Sequence, residues 1–565
     1  MIDHRGPIHA ITGFRDSLLA TAGADGRVIL WNAHDDVALA RGCHDDSAYL
    51  CGFSGSGNWL ISAGADFSAR LWSVPDLRLR AVMAGHEDAV EAAAFHPTLE
   101  RVATAARDGS VIVFDFAGRP LLHLAGHNGP VVCLLWLKGG GELVALGEQG
   151  IVSRWDAENG QRRPAGDIEG AFGRAAAASP DGTFFAGTAD GAIILLCGRR
   201  RERFEAHRGP IADLSFDPAS GALISIGMDR SVKVWSRSGG SLTCTADAKL
   251  PPLVAARAPI FVGPDRLAFP TFGSRYGTLD LKSGTWDLED IEPAAGFADA
   301  CHHEGALFTI SEGGILASAG RERARLNRGS TFIVSHEGRL VCGGDSGGLV
   351  DALSGELLWQ QDAPLLCACT VEGGRLAIGT AAGEMLMFEA EGDSLRPVAA
   401  LRLHRSAITG IASDAGLLFT VTAAGSDAAH RLETMEEVHS DPSVHSGGAT
   451  GCTALPGGRF ASVGRDLKLR LWGLDRSVGI ATAHRNAMSC CAASADGTHL
   501  ATGDEAGRVG IFDLRSGEYL RFVRLSSEGI SSLAAAPEPG AFIATSRDGY
   551  VYHVTGPTAR CLLAA

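Results

Sequence analysis

A hydroxyl, an imidazole and a carboxylate recur together along this chain, as His44, Ser62 and Asp66, as His207, Ser225 and Asp229, and as His445, Ser462 and Asp466. With threonine as the hydroxyl, His4, Thr21 and Asp25 form a fourth set. In a hydrolase, the imidazole of such a set takes the hydroxyl proton while the carboxylate orients the ring. Here the set returns at a structural period, and repetition of that kind assigns it to maintenance of the repeat. No catalytic residue is expected.

Other chemistry is thinly represented. Cys301-His302-His303 is the only tight Cys/His cluster, and neighbours on a strand point to opposite faces, so the three side chains do not converge on one ion. The thirteen cysteines contain no Cys-x-x-Cys spacing, which argues against a zinc ribbon, a disulfide framework or covalent haem and for reduced thiols. Cys490-Cys491 and Cys367-Ala368-Cys369 fall on expected first strands and read as small apolar packing. Gly139-Gly140-Gly141 reads as a hairpin turn, and no Walker-type phosphate loop is present. Neither a metal nor a cofactor is expected.

The elements that must position these residues are set by a repeat. At 565 residues the chain exceeds what one core sustains, so two domains are expected. Its 73 glycines are spread evenly, which implies many tight turns. Leu18-Leu19-Ala20-Thr21-Ala22-Gly23-Ala24-Asp25-Gly26-Arg27-Val28-Ile29-Leu30-Trp31 returns in altered form at Leu60–Trp72, Val102–Phe114 and Leu223–Trp235. Each copy is an apolar strand, an Asp-Gly-like turn and a second strand, the pattern of an antiparallel hairpin. A third strand precedes it after a histidine, as in Gly85-His86 and Gly126-His127, and a more polar fourth follows. The interval from histidine to aromatic is the same for His44 to Trp72, His86 to Phe114, His127 to Trp155, His207 to Trp235 and His484 to Phe512.

This pattern resembles the WD40 family, whose repeats run from Gly-His to Trp-Asp and form four-stranded blades. An all-β fold of two WD40-type β-propellers is therefore expected, with about seven blades each. The third strands are placed to end near Trp31, Trp72, Phe114, Trp155, Leu196, Trp235 and Leu281, then near Ala317, Val350, Phe388, Leu432, Trp472, Phe512 and Val554. The expected domains are 1–290 for blades 1–7 and 291–565 for blades 8–14, with blades 8–11 degenerate and the join near Glu289–Gly296. Ala559-Arg560-Cys561-Leu562-Leu563 can supply the last outer strand, so each ring can close without exchanging a strand. Passage of the chain between rings, with a shared blade, stays open at this point.

The resemblance implies that each conserved-pattern blade is held by a tetrad: His4/Thr21/Asp25/Trp31, His44/Ser62/Asp66/Trp72, His207/Ser225/Asp229/Trp235 and His445/Ser462/Asp466/Trp472. His86/Thr104/Asp108 has Phe114 in place of tryptophan. It also implies a partner-binding face carried by residues before the turn aspartate and at the entry to the first strand: His9, Tyr49, Glu91, Arg107, Glu148, Met228, Arg465 and Arg547. Arg199–Arg203 and Arg321–Arg325 fall on expected outer strands, where charge blunts sheet edges.

The formal charge of −15 argues against nucleic acid, whose binding is driven by basic side chains. Met1-Ile2-Asp3-His4 runs into the first repeat with no leader pattern, and no apolar run is long enough for a membrane span, so a cytoplasmic location is expected. Scarce lysine beside abundant arginine and alanine points to a GC-rich, bacterial source. The function expected is a non-catalytic scaffold or adaptor that holds other proteins, as a subunit of a bacterial complex. Its rival is an enzyme or ligand-binding protein with a site in a propeller funnel. A weaker rival follows the double-ring actin-filament-disassembly proteins, matched here only by the repeat itself.

Overall fold

The computed structural model describes residues 3–564 apart from positions 16, 128, 148–150, 165–170, 189, 198–199, 209, 239, 258, 393, 447, 474–475, 527–528 and 556–557. Its described residues form fourteen four-stranded antiparallel sheets and one short 3-10 turn at Lys138–Gly140. The chain divides into two compact units, Met1–Glu292 and Pro293–Ala565, each containing seven sheets. Each unit is a WD40-type β-propeller.

Blade 1 shows how the sequence makes a sheet. Its strands are Ile8–Phe14, Leu18–Gly23, Arg27–Asn32 and Val37–Cys43. The second is almost wholly buried because blades cover both of its faces, whereas the fourth alternates between exposed and half-buried at the rim. Gly26 turns the central hairpin at φ 70°, and a Cβ there would lie 2.9 Å from the Asp46 carbonyl oxygen, so glycine meets both demands. The third strands lie where the repeat places them; those expected near Leu281 and Leu432 end at Asp280 and Arg431.

Hydrophobic burial is divided among the seams between blades. In the N-terminal ring, Val28 and Leu30 of blade 1 pack on Ala48 and Leu60 of blade 2, and comparable clusters follow around to Leu267 and Phe269 of blade 7. The circle closes where Ile8 and Trp31 meet Ala268 and Tyr276. The C-terminal ring closes where Phe297 and Ala300 meet Ala541, Ile543 and Val551. All fourteen sheets are built from four consecutive strands, and the last outer strand is Thr558–Ala564, so neither ring closes by strand exchange or shares a blade among the described residues.

The degenerate blades hold together through aliphatic and aromatic packing. In blade 10, Leu376, Ile378 and Phe388 replace the polar tetrad, with Trp359 of blade 9 edge-on to Phe388 at 5.2 Å. In blade 7 the inner strand shrinks to Ile260–Phe261, while Phe269 and Trp286 pack at 4.8 Å.

Near the start of the inner strand, a β-bulge recurs from blade to blade. It inserts His9 as the extra residue between Ile8 and Ala10, Tyr49 between Ala48 and Leu50, and Glu91 between Val90 and Ala92. In the C-terminal ring the corresponding residues are Ala298, Leu366, Thr409, Thr450, Ser489 and Ser531. A bulge re-aims the extra residue and increases local twist.

Candidate functional site

Two sets of polar residues need separate treatment: the buried relays within blades, and the bulge residues around the ring axis.

In each relay the second strand supplies the hydroxyl, the third the indole, and the loop before the inner strand the histidine. The Trp31 Nε1–H donates to Thr21 Oγ1 at 2.8 Å, Thr21 Oγ1 lies 2.8 Å from His4 Nε2, and His4 Nδ1 lies 2.9 Å from Asp25. The same order holds for Trp72, Ser62, His44 and Asp66, at 2.7, 2.7 and 3.0 Å. It holds again for Trp235, Ser225, His207 and Asp229, at 2.8, 2.7 and 3.1 Å. For Trp472, Ser462, His445 and Asp466 the distances are 3.0, 2.9 and 2.8 Å. Donor directions fix the chemistry. The hydroxyl accepts from the indole, so its own hydrogen points to Nε2, and Nδ1–H points to the carboxylate. Thr21, Ser62, Ser225 and Ser462 are 0% exposed, so no substrate reaches these oxygens.

The structure also revises individual relays. In blade 3 the His86 Nδ1 partner is Ser110 Oγ at 2.5 Å, while Asp108 accepts the backbone N–H groups of Glu87 and Ser110. A hydroxyl two residues along thus stands where the aspartate was expected. Blade 13 carries a relay not assigned from sequence: His484 bonds Thr502 at 2.9 Å and Asp504 at 2.7 Å. The carboxylate there follows the hydroxyl by two residues instead of four, and the His484-to-Phe512 interval was the available signal. In blade 11, His404 bonds Thr420 at 2.8 Å, and His430 takes the tryptophan position.

Gly344-Asp345-Ser346-Gly347-Gly348, which matches the Gly-x-Ser-x-Gly pattern of a nucleophile elbow, lies on the central hairpin turn of blade 9. Ser346 Oγ is buried and bonds no base among the described residues, so the match carries no hydrolase chemistry.

Burial would push the relay carboxyls of Asp66 and Asp229 up. Hydrogen bonds from His44 and His207, from Ser68 and Ser231, and from backbone N–H groups outweigh it and hold both below the ordinary range. A folded value below the unfolded one means stability that is complete above about pH 4 and lost as pH falls. Asp66→Asn is expected to lower stability at neutral pH by roughly 2 kcal/mol and to flatten the loss below pH 4, as read by denaturant titration across acid pH.

The bulge residues behave differently in the two rings. In the C-terminal ring three of them stitch blades together: Thr409 donates to the Ala449 carbonyl at 2.8 Å, Thr450 to Met488 at 2.6 Å and Ser489 to Ile530 at 2.5 Å. In the N-terminal ring blades 1 to 3 carry an imidazole, a phenol and a carboxylate at this position, while blades 4 and 6 carry Val132 and Ala212. His9 and Tyr49 pack edge to face at 5.6 Å. With Glu91, Asp213 and Arg257 they line an axial cavity of about 230 Å³. Arg107 pairs with Glu91 at 3.2 Å, which brings a fourth expected residue to this mouth. Met228 sits half-buried on the corresponding turn of blade 6, away from the cavity lining. Glu148 lies outside the described residues. Arg465 and Arg547 are held against neighbouring blades, by Glu505 at 3.8 Å and Glu312 at 3.7 Å.

Cys301, His302 and His303 lie on the inner strand Phe297–His303, where His303 Nδ1 meets Ser335 Oγ at 2.9 Å. Among the described residues no group of three or more His, Cys, Asp or Glu side chains is placed to hold a metal ion. No helix there is long and apolar enough to cross a membrane.

The fold and its indole-to-carboxylate relays are of the WD-repeat propeller type, and comparison with known proteins finds WD repeats in this chain. The WD domain, G-beta repeat model matches residues 39–73, 77–115, 198–236 and 476–513. Nuclear distribution protein nudF of Aspergillus niger is 25% identical over 182 residues, covering 27% of this chain and 41% of that protein. Nuclear distribution protein PAC1-1 of Uncinocarpus reesii is 32% identical over 121 residues, 18% of this chain and 27% of the relative. Telomerase protein component 1 of Mus musculus is 27% identical over 251 residues, 41% of this chain and 8% of the relative. The alignments thus span less than half of each relative. These relatives are eukaryotic and give no support to the bacterial source expected from composition.

Proposed function

We propose that this chain is a non-catalytic scaffold, a subunit of a multi-protein complex, that binds other proteins through the axial mouth of its N-terminal ring. The observation that carries this reading is the contrast at the bulge positions. Where Thr409, Thr450 and Ser489 serve the fold, His9, Tyr49 and Glu91 converge on a cavity, with Arg107 beside them. Aromatic residues and arginine are the side chains that dominate binding energy at protein interfaces. The charge of −15 favours protein over nucleic acid as partner. Relationship to nudF and PAC1, named as nuclear distribution proteins, fits a WD-repeat interaction role.

A second reading draws on the same cavity: its acid, imidazole and guanidinium groups suit a small polar ligand. The two separate by experiment. The full chain is used to capture proteins from its native cells, in parallel with the double variant Tyr49→Ala, Arg107→Gln. The double variant is expected to retain its melting temperature and to bind the captured partner at least tenfold more weakly, the loss of about one interface hot spot. Undiminished capture by the double variant would move the interface elsewhere.

A further inference from the structure

Each seam has a third-strand position that points at the next blade, and it is a buried aliphatic residue in at least nine blades, Val28, Val111, Val232, Leu316, Leu469 and Val551 among them. Blade 11 places Asp427 there, paired across the hairpin with Val421 and 1% exposed. Its Oδ1 accepts the Asp441 N–H at 3.1 Å, whereas its Oδ2 is buried without a hydrogen-bond partner among the described residues. An ionised carboxylate in that setting lacks the donors that would replace water.

The groups facing it come from three strands. Blade 11's own fourth strand, Glu437–Asp441, supplies His439, whose Nε2 lies 3.6 Å from Oδ1, and the carboxylate of Asp441. The third strand of blade 12, Lys468–Gly473, supplies Arg470, close enough to favour the anion, with its Nε buried and bonded to nothing among the described residues. The inner strand of blade 12, Ala449–Leu455, supplies the half-buried thiol of Cys452. The second strand of blade 11, Leu417–Thr422, has no titratable side chain. His439 lies 5.5 Å from the Trp472 ring, so the polar cluster is continuous with the apolar seam of Phe419, Phe460 and Trp472.

We propose that the seam between blades 11 and 12 is a proton-operated latch, closed while Asp427 carries its proton and loosened when Asp427 ionises. The balance of forces at the site supports this direction. Burial raises the Asp427 carboxyl to about 7, Asp441 adds to the rise, and the Asp441 N–H and Arg470 offset only part of it. A folded value above the unfolded one contributes stability that is fully present below about pH 4 and lost as pH rises through about 7. Relay carboxylates such as Asp66 have the opposite slope, so this seam responds to a change at neutral pH that leaves the relays untouched.

Hydrogen–deuterium exchange of the full chain, corrected for intrinsic rates, tests the latch at about pH 5.5 and about pH 8. Backbone amides of Asp427–Arg431 and Glu437–Asp441 are expected to exchange roughly thirtyfold faster at the higher pH, a tenfold change for each pH unit between about 5.5 and the titration at about 7. Asp427→Val, which restores the residue type of the other seams, and Asp427→Asn, which keeps the shape without the charge, are both expected to abolish that difference. Equal protection of the wild type at both pH values would overturn the proposal. So would the same rise in both variants, or a rise confined to Phe297–His303, where Asp299 titrates.

Discussion

Asp504→Ala is expected to destabilise the C-terminal ring by about 3–5 kcal/mol, the cost of leaving several buried donors without their acceptor at once. Asp504 and His484 have no exposed side-chain surface and meet at 2.7 Å. The carboxylate also accepts the N–H groups of Ala506 and Arg508, at 3.0 and 2.8 Å, so alanine leaves two backbone donors and an imidazole unmet at once. Asp504→Asn keeps an oxygen for the backbone donors and is expected to lose less. Denaturant unfolding followed through the C-terminal tryptophans, Trp359 and Trp472, gives both values. A loss below about 1 kcal/mol for alanine would show that the relay of blade 13 is incidental to its stability.

Asp299→Ala is expected to open the closing seam of the same ring. Asp299 lies on the inner strand of blade 8 and joins three blades: its carboxylate accepts the Ser532 hydroxyl of blade 14 at 2.5 Å, the Ile333 N–H of blade 9 at 2.9 Å and its neighbour Ala300 N–H at 2.8 Å. Removing it strands these donors at a cost of roughly 3 kcal/mol. Faster exchange in Phe297–His303 and Ile530–Ala535 is the expected signature. Burial also raises the Asp299 carboxyl to about 6, so in the wild type its contribution weakens as pH rises through about 6. A variant whose closing seam exchanges no faster than the wild type would mean that Phe297, Ala300 and Ile543 hold the ring shut unaided.

Much of this was legible in the sequence because the blade repeat is written in residue types. A hydroxyl before an Asp-Gly turn, then an aromatic ten residues on, locates two strands and their hairpin whatever lies around them, as at Thr21 and Trp31. Blades 7 to 11 were harder to read, since packing such as that of Leu376 and Phe388 needs only apolar side chains of suitable size. The bulges were invisible. An extra residue between Ile8 and Ala10 is a matter of backbone pairing, and His9 is not a residue type that announces it. Nor could sequence tell that Arg465 and Arg547 would be spent on Glu505 and Glu312, because those partners lie on adjoining blades. Asp427 escaped notice because an aspartate near a turn is ordinary, and only the register shows that it faces the inside of a seam.

Sheets made of consecutive strands have a consequence for how such a ring can be rearranged. Any loop joining two blades is an equivalent location for a chain break, so a permuted chain that starts at Ala48 and rejoins the old termini would still assemble seven intact sheets from the N-terminal half. The same modularity lets whole blades be duplicated, lost or allowed to drift one at a time, without any strand being orphaned from its sheet.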